Sequence, residues 1–441
     1  MPAFSLETEK TAWCAELRTL AAERLRPIAD KGEPGRVNRP LVAELGRLGL
    51  LSRLFTSGAL DLCLLRESLA YACTEAETAL ALQGLGAHPV HAHGTPAQRE
   101  RWLPRVADGS AVAAFALSEP GAGSDAAALA LRAEPDESRT GEASSDPARQ
   151  VSLAAEAPSG PGRQVSLAAD VPSGPARDAS LAAEAPSGSA RHASLAAEVD
   201  GASGARWRLT GEKCWISNAP EADFYTVFAR TTPGAGARGV TAFLVPADRP
   251  GLTGRGLDML SPHPIGALDF DAVPVTADDV LGGTDQGFRV AMGTLNLFRP
   301  SVGAFAVGMA RAALDATLAH TARRDAFGGK LKDLQAVAHQ VAEMALRTEA
   351  ARLMVYAAAT AYDEGAPDIP QRAAMAKLLA TETAQYVVDT AVQLHGAQAL
   401  ERGHLLEHLY REVRAPRVYE GASEVQRGII ARELYATLEV S

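Results

Sequence analysis

Near the C-terminus the chain reads Arg417-Val418-Tyr419-Glu420-Gly421-Ala422-Ser423-Glu424-Val425-Gln426. A carboxylate followed by glycine, just ahead of a helix, lies where unpaired amides and the positive end of the helix dipole favour a negative charge. Glu420 is therefore a candidate for an ionised base. Ser423 and Gln426 have the spacing of a capping box, and Val425, Ile429, Ile430 and Leu434 follow at helical spacing. A helix is predicted to start at Ser423 with an apolar stripe behind it. Two earlier strings place polar groups on tight backbone. Phe115-Ala116-Leu117-Ser118-Glu119-Pro120-Gly121-Ala122-Gly123-Ser124-Asp125 runs from a strand into a turn. Its proline and glycines keep the backbone close to a bound group, and Ser118 and Ser124 offer hydroxyls. In Gly211-Glu212-Lys213-Cys214-Trp215-Ile216-Ser217-Asn218, strand alternation puts Trp215 and Ser217 on one face.

The elements that must position these residues change along the chain. From Ser5 to about Gly109 the apolar period is helical, carried by Leu17, Leu20, Ala21 and Leu25 and then by Leu41, Leu45, Leu48 and Leu50. Pro34, Pro40, Pro89 and Pro96 are expected to punctuate these helices, with Thr95 capping one that has Pro96 in its first position. Strand-like runs follow at 111–117, 207–209, 224–229 and 240–245. Long helical segments then return at 288–324, 333–362, 371–396 and 423–438, joined by short breaks, as in an antiparallel bundle. The expected fold class is α+β, with an all-α domain over 1–110, a β domain over 111–282 and a helical bundle over 283–441.

Within the β domain, units of fourteen residues repeat in tandem from Arg149, Arg163, Arg177 and Arg191. They hold no aromatic residue and break at Pro-Ser-Gly or Asp-Gly, so they bury too little apolar surface to offset their ordering entropy. Residues 135–200 read as a mobile insertion in a surface hairpin, an expanded loop without the aromatic or basic anchors of a docking arm.

Composition narrows the function. A formal net charge of -10, with no basic cluster, excludes the usual nucleic-acid binder. Cys14, Cys63, Cys73 and Cys214 lack metal spacing and read as reduced thiols. His88, His91 and His93 are close in sequence, but a proline interrupts them and no fourth ligand shares a helical face, so no metal site is assigned. The N-terminus has no apolar signal region, and no apolar run is long enough for a span. A cytoplasmic protein is expected.

Taken together, these strings resemble the signatures of the acyl-CoA dehydrogenase family. Tyr419-Glu420-Gly421 is similar to the family's catalytic signature, whose glutamate removes the substrate α-proton. The string from Phe115 to Asp125 resembles the loop in which positions matching Leu117 and Ser118 hydrogen-bond the flavin and that matching Ser124 meets the thioester ligand. Trp215-Ile216-Ser217 is similar to Trp-Ile-Thr, which implies an indole against the flavin and a hydroxyl at its N5 edge. Arg324-Asp325-Ala326-Phe327-Gly328 with Gln335 resembles a segment whose arginine crosses a subunit interface to the FAD pyrophosphate, as guanidinium geometry suits. Gln393-Leu394-His395-Gly396-Ala397 resembles a Gln-x-x-Gly-Gly segment on the adenosine half of FAD, with His395 packed and not a ligand. Ala397 replaces its second glycine, and Ala422 and Glu424 stand where the family usually has a threonine and touches FAD. Some relatives carry the base just before an arginine matching Arg299. That position is Phe298 here, so the base can come only from Glu420.

The resemblance implies an FAD-dependent enzyme that oxidises an acyl thioester, acyl-CoA, to trans-2-enoyl-CoA. Glu420 takes the α-proton, flavin N5 accepts the β-hydride, and the amide of Glu420 with a flavin ribityl hydroxyl binds the developing enolate oxygen. Asn296, Arg299, Gly421 and Ser124 would lie on the substrate side. Electron-transferring flavoprotein would reoxidise the flavin, and a homodimer or homotetramer would complete the cofactor site. The alternatives are a monooxygenase or oxidase on the same fold, a dehydrogenase acting on an acyl carrier protein, and a non-catalytic scaffold.

Overall fold

The computed structural model describes residues 6–136, 206–436 and 438. The fourteen-residue repeats, with the hairpin insertion and mobility expected of them, lie outside the described residues.

The N-terminal helices are α1 (Thr8–Leu20), which continues through a π-helical turn into α2 (Arg26–Ala29), then α3 (Arg39–Arg47), α4 (Arg53–Thr56), α5 (Ala59–Ala72), α6 (Thr74–His93) and α7 (Pro96–Ala107). Their apolar stripes meet in one cluster that includes Leu17, Leu25, Leu41, Leu45, Leu69 and Leu80. Thr95 and Gln98 form the capping box of α7. Pro89 does not punctuate: it lies inside α6, which runs on unbroken and is apolar on nearly every side.

Among the described residues eight strands follow: β1 (Ala113–Ala116), β2 (Arg132–Pro135), β3 (Arg206–Ser217), β4 (Phe224–Arg230), β5 (Val240–Pro246), β6 (Leu252–Gly256), β7 (Ile265–Thr276) and β8 (Val280–Leu281). They form one sheet in the order β6-β7-β3-β2-β4-β5-β8, and β1 pairs in parallel with β4. β2 and β3, which flank the repeats, pair antiparallel with Pro135 opposite Trp207. β4 and β5 are buried along almost their whole length, which matches their unbroken apolar runs. The short run expected at 207–209 is instead part of a 12-residue strand, whose polar exposed positions hid its length.

The C-terminal elements are α8 (Gly287–Arg323), a hairpin of β9 (Asp325–Ala326) and β10 (Gly329–Lys330), α9 (Gln335–Asp363), α10 (Ile369–His395), α11 (Leu405–Glu412) and α12 (Ser423–Ala436). Alanine-rich faces of α8, α9 and α10 close around Phe305, Met309, Met344 and Val387, and Cys63 and Ala70 of α5 join them. By length and composition α8 could cross a membrane, but 67% of that window is buried inside the protein. α12 packs on α10 through Ser423 and Gln426. The apolar stripe expected behind Ser423 is not a core face. Val425, Ile429 and Ile430 are half-buried, and Leu434 is half exposed.

Candidate active site

Glu420 sits in the turn before α12 with φ 52°, and Gly421 follows with φ 97°. A non-glycine residue in the left-handed region costs on the order of 1 kcal/mol, so the surroundings must hold it there. Side chains from three helices do so. Arg299 Nε of α8 donates to the Glu420 carbonyl oxygen at 3.1 Å, and Lys377 Nζ of α10 donates to the Gly421 carbonyl oxygen at 2.6 Å. Gln426 Nε2 of α12 donates to both carbonyls, at 3.2 and 3.0 Å. A Cβ on Gly421 would lie 2.3 Å from Gln426 Nε2, so the close approach of that amide requires glycine. The capping box expected of Ser423 and Gln426 therefore does not form. Ser423 is the first helical residue and its hydroxyl donates to Glu382 Oε1, while the Gln426 amide is spent on the loop.

The Glu420 carboxylate differs from its backbone. Its Oε2 is shut off from solvent and has no hydrogen-bond partner among the described residues. Burial pushes the carboxyl above its ordinary range, and the positive charges of Arg66, Lys377 and Arg299 pull it back. The helix dipole was the stabiliser expected from the sequence; desolvation and cations borne on other helices govern the group instead. Arg66 is itself buried, pairs with Glu77, and donates from Nη1 to Ser301 Oγ at 2.6 Å. Asn296 Oδ1 accepts from Arg299 Nη1 at 3.4 Å. Phe298 is packed away: a Cβ on Gly84 would lie 2.8 Å from its Cζ.

A second cluster lies on the sheet. Lys213, fully buried, donates to Glu119 Oε1 at 2.7 Å and to the Leu117 carbonyl at 2.9 Å, and Cys214 N–H donates to the Ser118 carbonyl at 3.0 Å. These bonds pin the loop at 117–119 to β3. Glu119 also accepts from the amides of Ala130 and Leu131, so its buried charge is fully engaged. Register slips between Lys213 and Ile216, and Trp215 has φ 57° at that bulge. Trp215 is 48% exposed and Ser217 half-buried, while Ile216 turns into the sheet core and leaves only its backbone on the open side. Phe115 is half-buried, 4.8 Å from Phe228 between ring centroids. Ser124 is exposed, and Gly121 and Gly123 face open space where a side chain would stand. An exposed indole beside an open glycine turn fits a planar ring system such as a flavin.

The remaining sequence-derived residues gather elsewhere. Arg324, Phe327 (91% exposed) and Gln335 lie on and beside the β9–β10 hairpin, and Gln393, Gly396 and Ala397 at the exposed end of α10. His320 stacks on His395 at 4.1 Å, which brings these two segments together. His395 is a packed residue whose Nδ1 lies 2.8 Å from the Ala391 carbonyl oxygen. At about 1.5 Å per helical residue, Arg323 lies roughly 36 Å along α8 from Arg299. Ala422 is half-buried and the Glu424 side chain is exposed beside Arg427.

Sequence reading missed Arg66, Lys377, Lys213 and Glu119. A signal existed for two of them: Arg66 interrupts an apolar run in α5 and Lys377 an alanine-rich run in α10. Burial of such residues is decided by packing. A separate cavity of about 850 Å³ opens between 29–42, the 256–264 loop and α11, lined by Asn218, His263 and His408, and does not include Glu420.

Three family models match the chain: acyl-CoA dehydrogenase N-terminal domain over 7–110, middle domain over 179–273 and C-terminal domain over 285–435. The chain is 31% identical to the short-chain specific acyl-CoA dehydrogenase of Bos taurus mitochondria, covering 95% of this chain and 88% of that protein. It is 29% identical to the probable acyl-CoA dehydrogenase FadE25 of Mycobacterium tuberculosis, covering 98% and 96%. Among solved structures, butyryl-CoA dehydrogenase from Megasphaera elsdenii superposes with a TM-score of 0.77 at 26% identity, covering 98% of this chain and 99% of that one.

Proposed function

The chain belongs to the acyl-CoA dehydrogenase family of FAD-dependent oxidoreductases, and from that premise we propose that it desaturates the α,β bond of a short acyl-CoA with Glu420 as the base. The observation that carries this reading is Glu420 Oε2, shut off from solvent with no hydrogen-bond partner among the described residues, while the backbone of its loop is fixed from three helices. A carboxylate with a raised pKa is the stronger base, and one with a free oxygen can accept a proton without first breaking a bond. The short acyl group follows from the Bos taurus and Megasphaera relatives, which are named for short-chain and butyryl substrates.

In this reading Glu420 Oε2 takes the α-proton as the Cα–H bond breaks, and the Glu420 amide donates to the thioester oxygen on which charge develops. When bound, FAD supplies the acceptor for the β-hydrogen and its electron pair. Trp215 and the backbone of Leu117 and Ser118 would hold the ring, with the Lys213–Glu119 pair fixing their loop. Ser124, Asn296, Arg299 and Gly421 would lie toward the thioester. Arg66, Lys377 and Arg299 give the site an excess of positive charge, which favours an enolate. The roughly 36 Å along α8 between Arg299 and the hairpin supports assigning Arg324, Phe327, Gln335, Gln393, Gly396 and Ala397 to the cofactor of a second copy, hence at least a homodimer. Electron-transferring flavoprotein in the cytoplasm is the proposed electron acceptor.

The test is anaerobic titration of the flavin-loaded protein with butyryl-CoA. Bleaching of the flavin with formation of the 2-enoyl thioester is expected; an unchanged flavin spectrum with butyryl-CoA and longer homologues overturns the reading.

A further inference from the structure

Two buried lysines carry no role in the sequence motifs, and one of them, Lys377, touches the catalytic loop. It is fully buried on α10, between Ala373 and Thr381. No carboxylate lies within ion-pair distance of it among the described residues. Its ammonium donates instead to the Gly421 carbonyl at 2.6 Å. The charged groups that act on it are Glu420, the strongest attraction, then Arg299 in opposition, Glu382 and Glu424. Glu382 is already bound by Arg417 and Ser423, and Glu424 is exposed beside Arg427. Glu420 is thus the acid left to answer the Lys377 charge.

The backbone geometry gives that charge a second task. Glu420 and Gly421 both have positive φ, and their carbonyls, outside the helix ladder, need donors. Arg299 serves the first carbonyl, Lys377 the second, and Gln426 both. None of these donors spends itself on the carboxylate, so the loop is held while the base stays free.

We propose that Lys377 is a positioning residue for the reaction: its buried ammonium, bonded to the Gly421 carbonyl, holds Glu420 in its left-handed conformation and keeps an otherwise uncompensated positive charge beside the base. The inference rests on Glu420 being the base. Burial lowers the Lys377 ammonium to about 8, so its charge, and with it the loop's countercharge, is lost as pH rises through that value.

The experiment compares Lys377→Met and Lys377→Arg with the unmodified protein, all loaded with FAD. Lys377→Met is expected to retain flavin and to slow anaerobic flavin reduction by butyryl-CoA about 10- to 100-fold. KM should change little, and the acid limb of the pH profile should move to higher pH as Glu420 loses a cation. Lys377→Arg should restore most of the rate and remove an alkaline limb near pH 8. Amide hydrogen exchange of residues 418–424 without substrate should quicken in Lys377→Met and return to normal in Lys377→Arg. An unmodified rate and pH profile in Lys377→Met overturns the proposal, as does a slowed rate with unmoved limbs and no rescue by arginine. Should Lys377→Met not fold, an alkaline limb unmoved in Lys377→Arg overturns it. If no thioester reduces the flavin of the unmodified protein, the proposed reaction fails while loop exchange still decides the role of Lys377.

Discussion

Two fully buried lysines stand behind the two clusters, and they meet the same cost in opposite ways. Lys213, beneath the loop at 117–119, bonds both a carbonyl and the Glu119 carboxylate, whose other contacts are backbone amides. Lys377, beneath the catalytic loop, bonds only a carbonyl and faces a carboxylate that stays out of reach. Burial brings each ammonium down to about 8. The first lysine is neutralised within its own network, as befits a scaffold. In the proposed reaction the second would hold its charge beside the place where negative charge develops, and a preorganised charge of that kind costs no rearrangement when it is needed.

The sharpest way to break this contrast is at the base. Glu420→Gln keeps the shape of the loop and should retain FAD while lowering the rate of flavin reduction by butyryl-CoA about 10³- to 10⁴-fold, measured by anaerobic stopped flow. A rate within tenfold of the unmodified protein would remove Glu420 from its role and the contrast with it. Next in size is Lys213→Met, which leaves the Glu119 charge buried and unpaired. A loss of about 3–5 kcal/mol is expected in thermal or denaturant unfolding, together with weaker flavin retention, and Lys213→Met with Glu119→Gln, which removes the charge but keeps an acceptor for the Ala130 and Leu131 amides, should recover much of it. Equal damage in the single and double variants would show that the pair is not a self-contained unit.

The smallest effect concerns a pair outside both lysines. His263 Nε2 lies 2.5 Å from Glu412 Oε2, and although burial opposes its charge, Glu412 raises the imidazole above its ordinary value of 6.5. A folded-state pKa above the unfolded one means that the protonated pair stabilises the fold below about pH 6.5 and that this contribution is lost as pH rises through the folded value. His263→Gln should therefore cost about 1–3 kcal/mol under mildly acidic conditions. The gap to the unmodified protein should close toward alkaline pH. A gap that is constant from pH 5.5 to 9 would assign the loss to packing.

Much of the molecule was legible in order along the chain. Helical periodicity located α8, α9 and α10 to within a few residues and picked out apolar positions of α1 and α3, because an amphipathic or apolar face repeats locally. Of the three strings, those around Leu117 and Trp215 are joined by the Lys213 and Cys214 bonds, and the third holds the turn with Glu420. Where the reading failed, distant partners had intervened. Ser423 and Gln426 have the spacing of a reciprocal cap, yet Glu382 and the loop carbonyls compete for them and win. The stripe of α12 has the right period but meets no core. Trp215 was placed by simple alternation, and a bulge in β3 sets its backbone.

The amino-acid sequence by itself determined the order of helical, β and helical regions, and it singled out Glu420 as the candidate base, with Phe298 where some members of the resembling family carry one. Only the tertiary structure decided the company that acid keeps. Arg66, Arg299 and Lys377 reach it from α5, α8 and α10, and electrostatic energy depends on separation in space and on exclusion of water, neither of which is written in the spacing of residues along a chain.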